Sequence, residues 1–328
     1  MIISILAFSV VANYGIEFIV DTVSQSFNKE DDKNEANNDN TVDNTLKTED
    51  FSLTGTYSFA VFVTKNTYVP DYSPSFNGYT YDSILESYEM QYAELLRYVI
   101  VVSIDSANRQ VLVDTMSGNF LVYYNGVYVP LNHIYYMVRT QKDGLDYRYL
   151  TDIAGTYTGL DIDNYFITQM DRFCDIVNYT DNPEINIPER FVGTHPFTTE
   201  KVNISSGKQP LTYDLLYMML DNDTFLTYEG VCRSTSDVFT GYIKNVLKKS
   251  NQNSIDSLIK RWRQKSVTDI SKGAISEKLD LIFAINDFEA HTVVPSATMK
   301  KHGENFYYVI NINESITNIK KYYNKASS

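Results

Sequence analysis

Asp221 and Asp223, in "MMLDNDTF", put two carboxylates one residue apart behind a helical run, a spacing that can offer oxygen ligands to a hard divalent cation. A helix that stops in solvent has the same pattern, and a Mg²⁺ site needs further oxygen donors that this stretch lacks. His133, His195, His291 and His302 lie far apart, with no HxxxH or HxH spacing, so they form no zinc motif. "SSGK", Ser205 to Lys208, matches the bare SxxK pattern of acyl-serine enzymes. That chemistry wants the serine at a helix N-terminus with the lysine one turn on, whereas here the β-like "KVNI" runs into a Ser-Gly turn. Gly207-Lys208 also lacks the upstream glycine and the following Ser or Thr of a phosphate-binding loop. Cys174 and Cys232, the two cysteines of the chain, are too distant for a zinc knuckle and too few for a disulfide framework. Two buried thiols, or one disulfide outside the cytoplasm, both fit.

The scaffold for these residues is a 328-residue chain, 43% hydrophobic and 14% aromatic, enough to bury a large core. Its formal charge of −13 argues against nucleic acid as a primary partner. Residues 1–23 open with "MIISILAFSVVANYGIEFIV", an apolar run broken by Asn13, Gly15 and Glu17 with no basic leader. It is expected to be a membrane anchor or signal-like segment. Residues 24–50, "SQSFNKEDDKNEANNDNTVDNTLKTED" from Ser24, are acidic and almost without apolar residues, which predicts a disordered tether. Residues 51–328 form the folded domain.

Within that domain, "TGTYSFAVFVTKN" suits a buried strand. "DSILESYEMQYAELL" places Ile84, Leu85, Tyr88, Tyr92 and Leu95 near one helical face, predicting a helix that feeds the strand "RYVIVVSI". "QVLVD" returns as its partner, and "FLVYYNGVYVPLN" carries Asn-Gly between two strand-like runs, a strong hairpin signal. "DIDNYFITQM", "PEINIP", "HTVVP" and "NFYYVINI" read as strands. "DRFCDIVNY", "PLTYDLLYMML", "SDVFTGYIKNVLKK", "ISEKLDLIFAI" and "ESITNIKKYY" read as helices, with Phe173, Ile176 and Val177 on one face of the first. Strands interleaved with helices predict a layered α/β domain with a mixed sheet.

The series resembles the LytR-CpsA-Psr family, in order and spacing, over about residues 53 to 328. "GLDIDNYFITQMDRFCDIVNYTDNPEINIP", Gly159 to Pro188, is similar to the family's "lgi.idyyv.vdf.gf..lvd.lGGv.v.vp". "GKQPLTYDLLYMML", "SDVFTGYIKNVLKK", "VTDISKGAISEKL" and the closing "NFYYVININESITNIKKYY" follow its later segments in turn. The resemblance implies a three-layer α/β/α fold around a central mixed sheet, with an apolar cavity for a polyprenyl lipid. It also implies residence on the bacterial cell membrane by one N-terminal anchor, with the domain extracytoplasmic. The implied activity is transfer of a phosphate-linked glycopolymer from a polyprenyl pyrophosphate carrier to peptidoglycan, with Mg²⁺.

A site of that kind must hold two adjacent phosphates, which calls for Arg forks and for acids on the metal. At the matching positions this chain departs from the family. The acid ending the family's first strand falls at Thr64, and its "R.D" falls at Leu95 and Arg97. The Arg and Asp of its "SiPRD" loop fall at Ser117 and Gly118, in "DTMSGN". The Asp of "lvd.lGG" becomes Asn178, and the "R.R" after the "LdG" helix becomes Asp221 and Asp223. Arg233 lies close to the family's "R..RQ" arginines, whose columns fall near Val231 and Ser234. The expected function is therefore a membrane-tethered envelope protein that binds lipid or glycopolymer without catalysis. The alternatives are a phosphotransferase with a site rebuilt from Arg97, Arg233, Asp221 and Asp223, which would use Mg²⁺, and a structural envelope protein without ligand.

Overall fold

Runs of β-branched and aromatic residues form the strands, as their packing on a pleated surface favours. In a computed structural model, the residues described are 56–68, 75–76, 79–80, 92–124, 127–139, 144–180, 184–187, 189–221, 233–246, 248–263, 266–271, 274, 288–302 and 305–323. The first strands are β1 (Thr56–Tyr68), the two-residue pair β2 (Ser75–Phe76) and β3 (Tyr79–Thr80), then β4 (Tyr92–Asp105) and β5 (Gln110–Ser117). Next come β6 (Phe120–Tyr124), β7 (Val127–Pro130), α1 (Leu131–Arg139), α2 (Tyr147–Thr158), β8 (Asn164–Gln169), α3 (Met170–Asp175) and a 3₁₀ turn (Ile176–Tyr179). β9 (Glu184–Ile187), β10 (Phe191–Thr194), β11 (Lys201–Ile204) and β12 (Gly207–Pro210) precede α4 (Tyr213–Asp221), α5 (Arg233–Val246) and α6 (Gln252–Arg263). β13 (Val267–Thr268), β14 (Glu289–Val293), β15 (Ala297–His302), β16 (Asn305–Ile310) and α7 (Ile312–Tyr323) complete the order.

The main sheet has the order β13-β8-β1-β4-β5-β14 and is mixed: β1 runs parallel to β8 and β5 parallel to β14, while the other neighbours are antiparallel. Alternation along its strands supplies two buried faces. Val61, Val63, Tyr98, Ile100 and Val113 pack with residues of α3 to α6, including Phe173, Leu216, Phe239, Tyr242 and Ile255. Ala60, Phe62, Val99, Val101 and Met116 pack on the other face with residues of α1 and α2, including Ile134, Tyr135, Leu150 and Ala154. The fold is thus α/β/α in three layers, as expected.

Most predicted elements lie where the sequence places them, including the β6–β7 hairpin and the face shared by Phe173, Ile176 and Val177. Ser205 and Ser206 connect β11 to β12, so "SSGK" is a turn, with Gly207 at φ 105. One expectation needs correction. Tyr92 and Leu95 belong to strand β4, not to a helix, because β4 continues to pair with β1 as far as Tyr68↔Tyr92. Beside the main sheet, β15-β16-β6-β7 form a second, four-stranded sheet. Residues 82–91, the helix predicted at "ISEKLDLIFAI", and the expected anchor and tether lie outside the described residues. Among the described residues no helix is long and apolar enough to cross a membrane. Cys174 is a free, buried thiol, and burial, with Asp171 and Asp175 nearby, pushes its pKa up.

Local capping explains the stretch that begins at Gly159. Asp146 caps α2 by accepting from the amides of Arg148 and Tyr149 at 2.9 and 3.4 Å. Gly159 ends the helix at φ 71, and a Cβ there would lie 2.9 Å from Ile316 of α7. The "VTDIS" segment supplies β13 and then Asp269, whose carboxylate accepts from the Tyr165 amide at 3.0 Å and meets Arg148 at 2.7 Å. Asp269 thereby ties the edge of the main sheet to α2.

Asp114 breaks the apolar rule of the sheet. It lies opposite Val101 of β4 and Val293 of β14, is 1% exposed, and among the described residues neither carboxylate oxygen has a side-chain hydrogen-bond partner. Burial pushes its pKa up from 3.8 to about 7, with the neighbouring Thr115 amide offsetting only part of the rise. Between those two values the folded chain keeps a proton that the unfolded chain has lost. Stability from this group is therefore complete below about pH 4, falls as pH rises towards 7, and stays low above it. Asp114→Asn is expected to flatten this slope and to stabilise the domain at pH 8 by on the order of a few kcal/mol, read from urea unfolding at pH 5, 6, 7 and 8.

Candidate functional site

Of the positions that match the family pattern, Thr64, Leu95, Arg97, Ser117, Gly118 and Asp221 lie around one end of β1 and β4, at an irregularity in their ladder. Val63 pairs with Tyr98 but Thr64 pairs with Leu96, leaving Arg97 as the extra residue of a β-bulge. Leu96 and Val99 consequently share one core although three residues apart, where an unbroken pleat would set them on opposite faces. The bulge turns Arg97 to the face that carries α4, and its Nη2 lies 3.5 Å from the Asp221 carbonyl at the end of that helix. The adjacent Tyr98 hydroxyl donates to the Leu220 carbonyl at 3.0 Å.

Lys65 points to the same face and pairs with the Asp221 carboxylate, both side chains about three-quarters buried. Lys65 also lies 5.8 Å from the ring centre of Tyr217 on α4. Arg97, Lys65 and Asp221 therefore meet, and the meeting point is the C-terminal end of a helix, where the macrodipole is negative. Two of the four residues named in the rebuilt-site alternative, Arg97 and Asp221, thus lie together. Asp223 lies outside the described residues. Arg233 opens α5, and its side chain is not among those described.

On the other face of the sheet, Thr64 is fully buried and its hydroxyl donates to Glu94 Oε1 at 2.5 Å, with the Thr168 carbonyl at 3.4 Å. Tyr135 of α1 donates to the same carboxylate oxygen at 3.3 Å, and Arg139 Nη2 lies 3.2 Å from Glu94 Oε2. Burial, then the Glu94 charge, pushes the Tyr135 phenol above its ordinary range and keeps it a donor. Glu94, Tyr135, Arg139 and Lys65 were not singled out by sequence reasoning. A charged Glu94 inside a run that looks helical was the available signal; its partners lie up to 45 residues away in sequence. Leu95 is half-buried and makes no polar contribution.

Ser117 and Gly118 form the corner at which the chain leaves the main sheet for the second one. The Gly118 amide donates to the Arg97 carbonyl at 2.9 Å, and the Gly118 carbonyl accepts from the Asn132 amide at 2.9 Å, at the start of α1. The buried Ser117 hydroxyl accepts from the Asn119 amide at 3.2 Å. A Cβ at Gly118 would lie 2.0 Å from the Leu96 carbonyl oxygen and 2.5 Å from Asn132 Oδ1. No side chain fits there, so "DTMSGN" is a packed corner and not a lip that presents an Arg and an Asp. Asn178 is exposed on the 3₁₀ turn beside α3, lining a different cleft with Asp171 and Asp214.

Among the described residues this group does not fit a Mg²⁺ ion: Asp221 is paired with Lys65, Thr64 is neutral, and no three His, Cys, Asp or Glu side chains converge on a common point.

No family model and no curated protein matches the sequence. Solved structures do. A Eubacterium siraeum protein assigned provisionally as a transcription regulator is 15% identical, covers 89% of this chain and 99% of its own, and gives a TM-score of 0.58. TagV of Bacillus subtilis is 13% identical, covers 81% of this chain and 95% of its own, and gives 0.53. TagT, solved bound to LI-WTA, is 10% identical, with 81% and 89% covered and a TM-score of 0.52. The chain has a LytR-CpsA-Psr-like fold. In this LytR-CpsA-Psr-like domain the charges at the bulge are arranged among themselves.

Two substitutions separate the packing role from the ion pair. Gly118→Ala is expected to destabilise the domain by about 3 kcal/mol through overpacking against backbone. Lys65→Met is expected to cost about 1 kcal/mol or less, since the pair is partly solvated. Urea unfolding of both variants beside the parent checks the two values.

Proposed function

We propose that this chain is a bacterial cell-envelope protein of the LytR-CpsA-Psr type that binds a polyprenyl-linked lipid or glycopolymer and does not transfer phosphate. Residues 1–23 would anchor it in the membrane, with the domain outside on its acidic tether. The observation that carries the reading is the engagement of Lys65 and Arg97 by the end of α4, one through the Asp221 carboxylate and one at its carbonyl. A pyrophosphate at this place would compete with a carboxylate and with the negative end of a helix dipole for those cations. Each charge-assisted phosphate contact is worth roughly 1.5 to 3 kcal/mol, so the loss of several arginines removes most of the binding a diphosphate needs. The fold shared with TagT, a protein solved bound to LI-WTA, supports an envelope ligand of related chemistry.

A second reading, a glycopolymer phosphotransferase with a rebuilt site, is favoured by the convergence of Arg97 and Asp221. The two diverge in one assay. The purified protein, incubated with a polyprenyl pyrophosphate and Mg²⁺, is expected to release no phosphate above a protein-free control, while mass spectrometry of its organic extract is expected to find bound polyprenyl lipid. Turnover that vanishes in Arg97→Ala would establish the second reading instead. Absence of both turnover and lipid would leave the structural role.

A further inference from the structure

The tip of the β10–β11 hairpin presents Phe197, a large apolar side chain that remains 71% exposed. Its ring stacks on Tyr213 with centres 5.7 Å apart and 15° between planes, and Tyr213 stacks in turn on Tyr217, one turn along α4, at 6.2 Å and 24°. The tip is held by its backbone: His195 Nδ1 accepts from the amides of Phe197 and Thr198, both at 3.2 Å, while Nε2 lies 3.4 Å from Asp214. Phe197 is thus fixed in an exposed position that contributes little to the core.

Phe197 and Tyr213 border an open cleft of about 400 Å³ whose other walls are Asp171, Asp175, Asn178 and Asp214. Asp171 and Asp214 stand in the first turns of α3 and α4, where a helix dipole favours acids. That accounts for two of the carboxylates and not for the aromatic stack between them. Burial raises the pKa of the Tyr213 phenol, which stays a neutral ring beside the carboxylates that make the cleft electronegative. The carboxylates are spread around a volume larger than an ion, and no three of them converge as metal ligands among the described residues. Aromatic faces ringed by separated carboxylates match a bulky organic cation, which a ring quadrupole attracts and a hard metal ion does not need.

We propose that this cleft binds an alkylammonium group, with Phe197 and Tyr213 as the aromatic wall and Asp171 and Asp214 as the counter-charges. It lies at the N-terminal end of α4, about 12 Å along the helix from Asp221, and stands independently of what the Arg97 end binds. Calorimetric titration of the full chain with choline chloride and with ethylammonium chloride distinguishes a methylated from a primary ammonium. Saturable binding of at least one is expected, with its neutral isostere 3,3-dimethylbutan-1-ol for choline, or ethanol for ethylammonium, at least tenfold weaker. Phe197→Ala, at an exposed hairpin tip, and Asp171→Asn with Asp214→Asn should each weaken binding about tenfold, with circular dichroism confirming that the variants are folded. Equal binding of the neutral isostere, displacement of the ammonium by equimolar MgCl₂, affinity unchanged in Phe197→Ala, or no saturable binding of either cation would each overturn the proposal.

Discussion

The bulge at Arg97 is the constraint on which the site depends. One extra residue in β4 lets Leu96 stay in one core while Tyr98 enters the other, and turns the intervening Arg97 towards α4. The same distortion presents the carbonyls of Leu96 and Arg97 to the β5–β6 corner, where Gly118 fits because it has no Cβ. Helix α1 is then fixed in turn, since its Asn132 amide bonds the Gly118 carbonyl. A bulge, a glycine corner and a helix start are thus one mechanical unit, and the polar residues at the end of the sheet take their positions from it.

Electrostatically, that unit divides its charges between the two faces of the sheet. Glu94 collects Thr64, Tyr135 and Arg139 on the face of α1, and Asp221 collects Lys65 on the face of α4, with Arg97 at its carbonyl. Each cation named here has an anion or a carbonyl of the same chain in reach. Such closed arrangements favour order over ligand exchange, because an incoming anion must first displace a partner already held at short range. On the fold that it shares with TagV and TagT, this chain sets these charges in two separate groups, one on each face of the sheet.

Much of the frame was legible in the sequence because its signals are local. Apolar runs marked β1, β5 and β8, Asn-Gly marked the β6–β7 hairpin, and "SDVFTGYIKNVLKK" read as the helix α5, whose Phe239, Tyr242 and Ile243 lie in the core. Tyr92 and Leu95 were misassigned because Tyr and Leu at three- and four-residue spacing satisfy a helix, while the pairing that makes them strand comes from β1. The second sheet was illegible for a related reason: β6 and β16 are brought together by tertiary packing, not by a turn. The site shows the same limit. Lys65 and Asp221 are 156 residues apart, and no spacing rule relates them. Thr64 and Gly118 were legible as departures from a family pattern, but what fills their places, a hydroxyl bonded to Glu94 and a corner with no room, required the packed structure.

The strand order also dictates when this domain can exist during synthesis. β5 finds its outer neighbour in β14, β8 finds its own in β13, and β6 waits for β16, with Phe120 opposite Tyr308. The final helix then sets the Tyr323 hydroxyl on Ser103, 220 residues earlier. A nascent chain that has emerged only as far as α5 therefore carries open edges on both sheets, unpaired backbone that invites association with other chains. Folding of the whole domain must follow release of the elements from β13 to α7, which makes them the closing latch of both sheets.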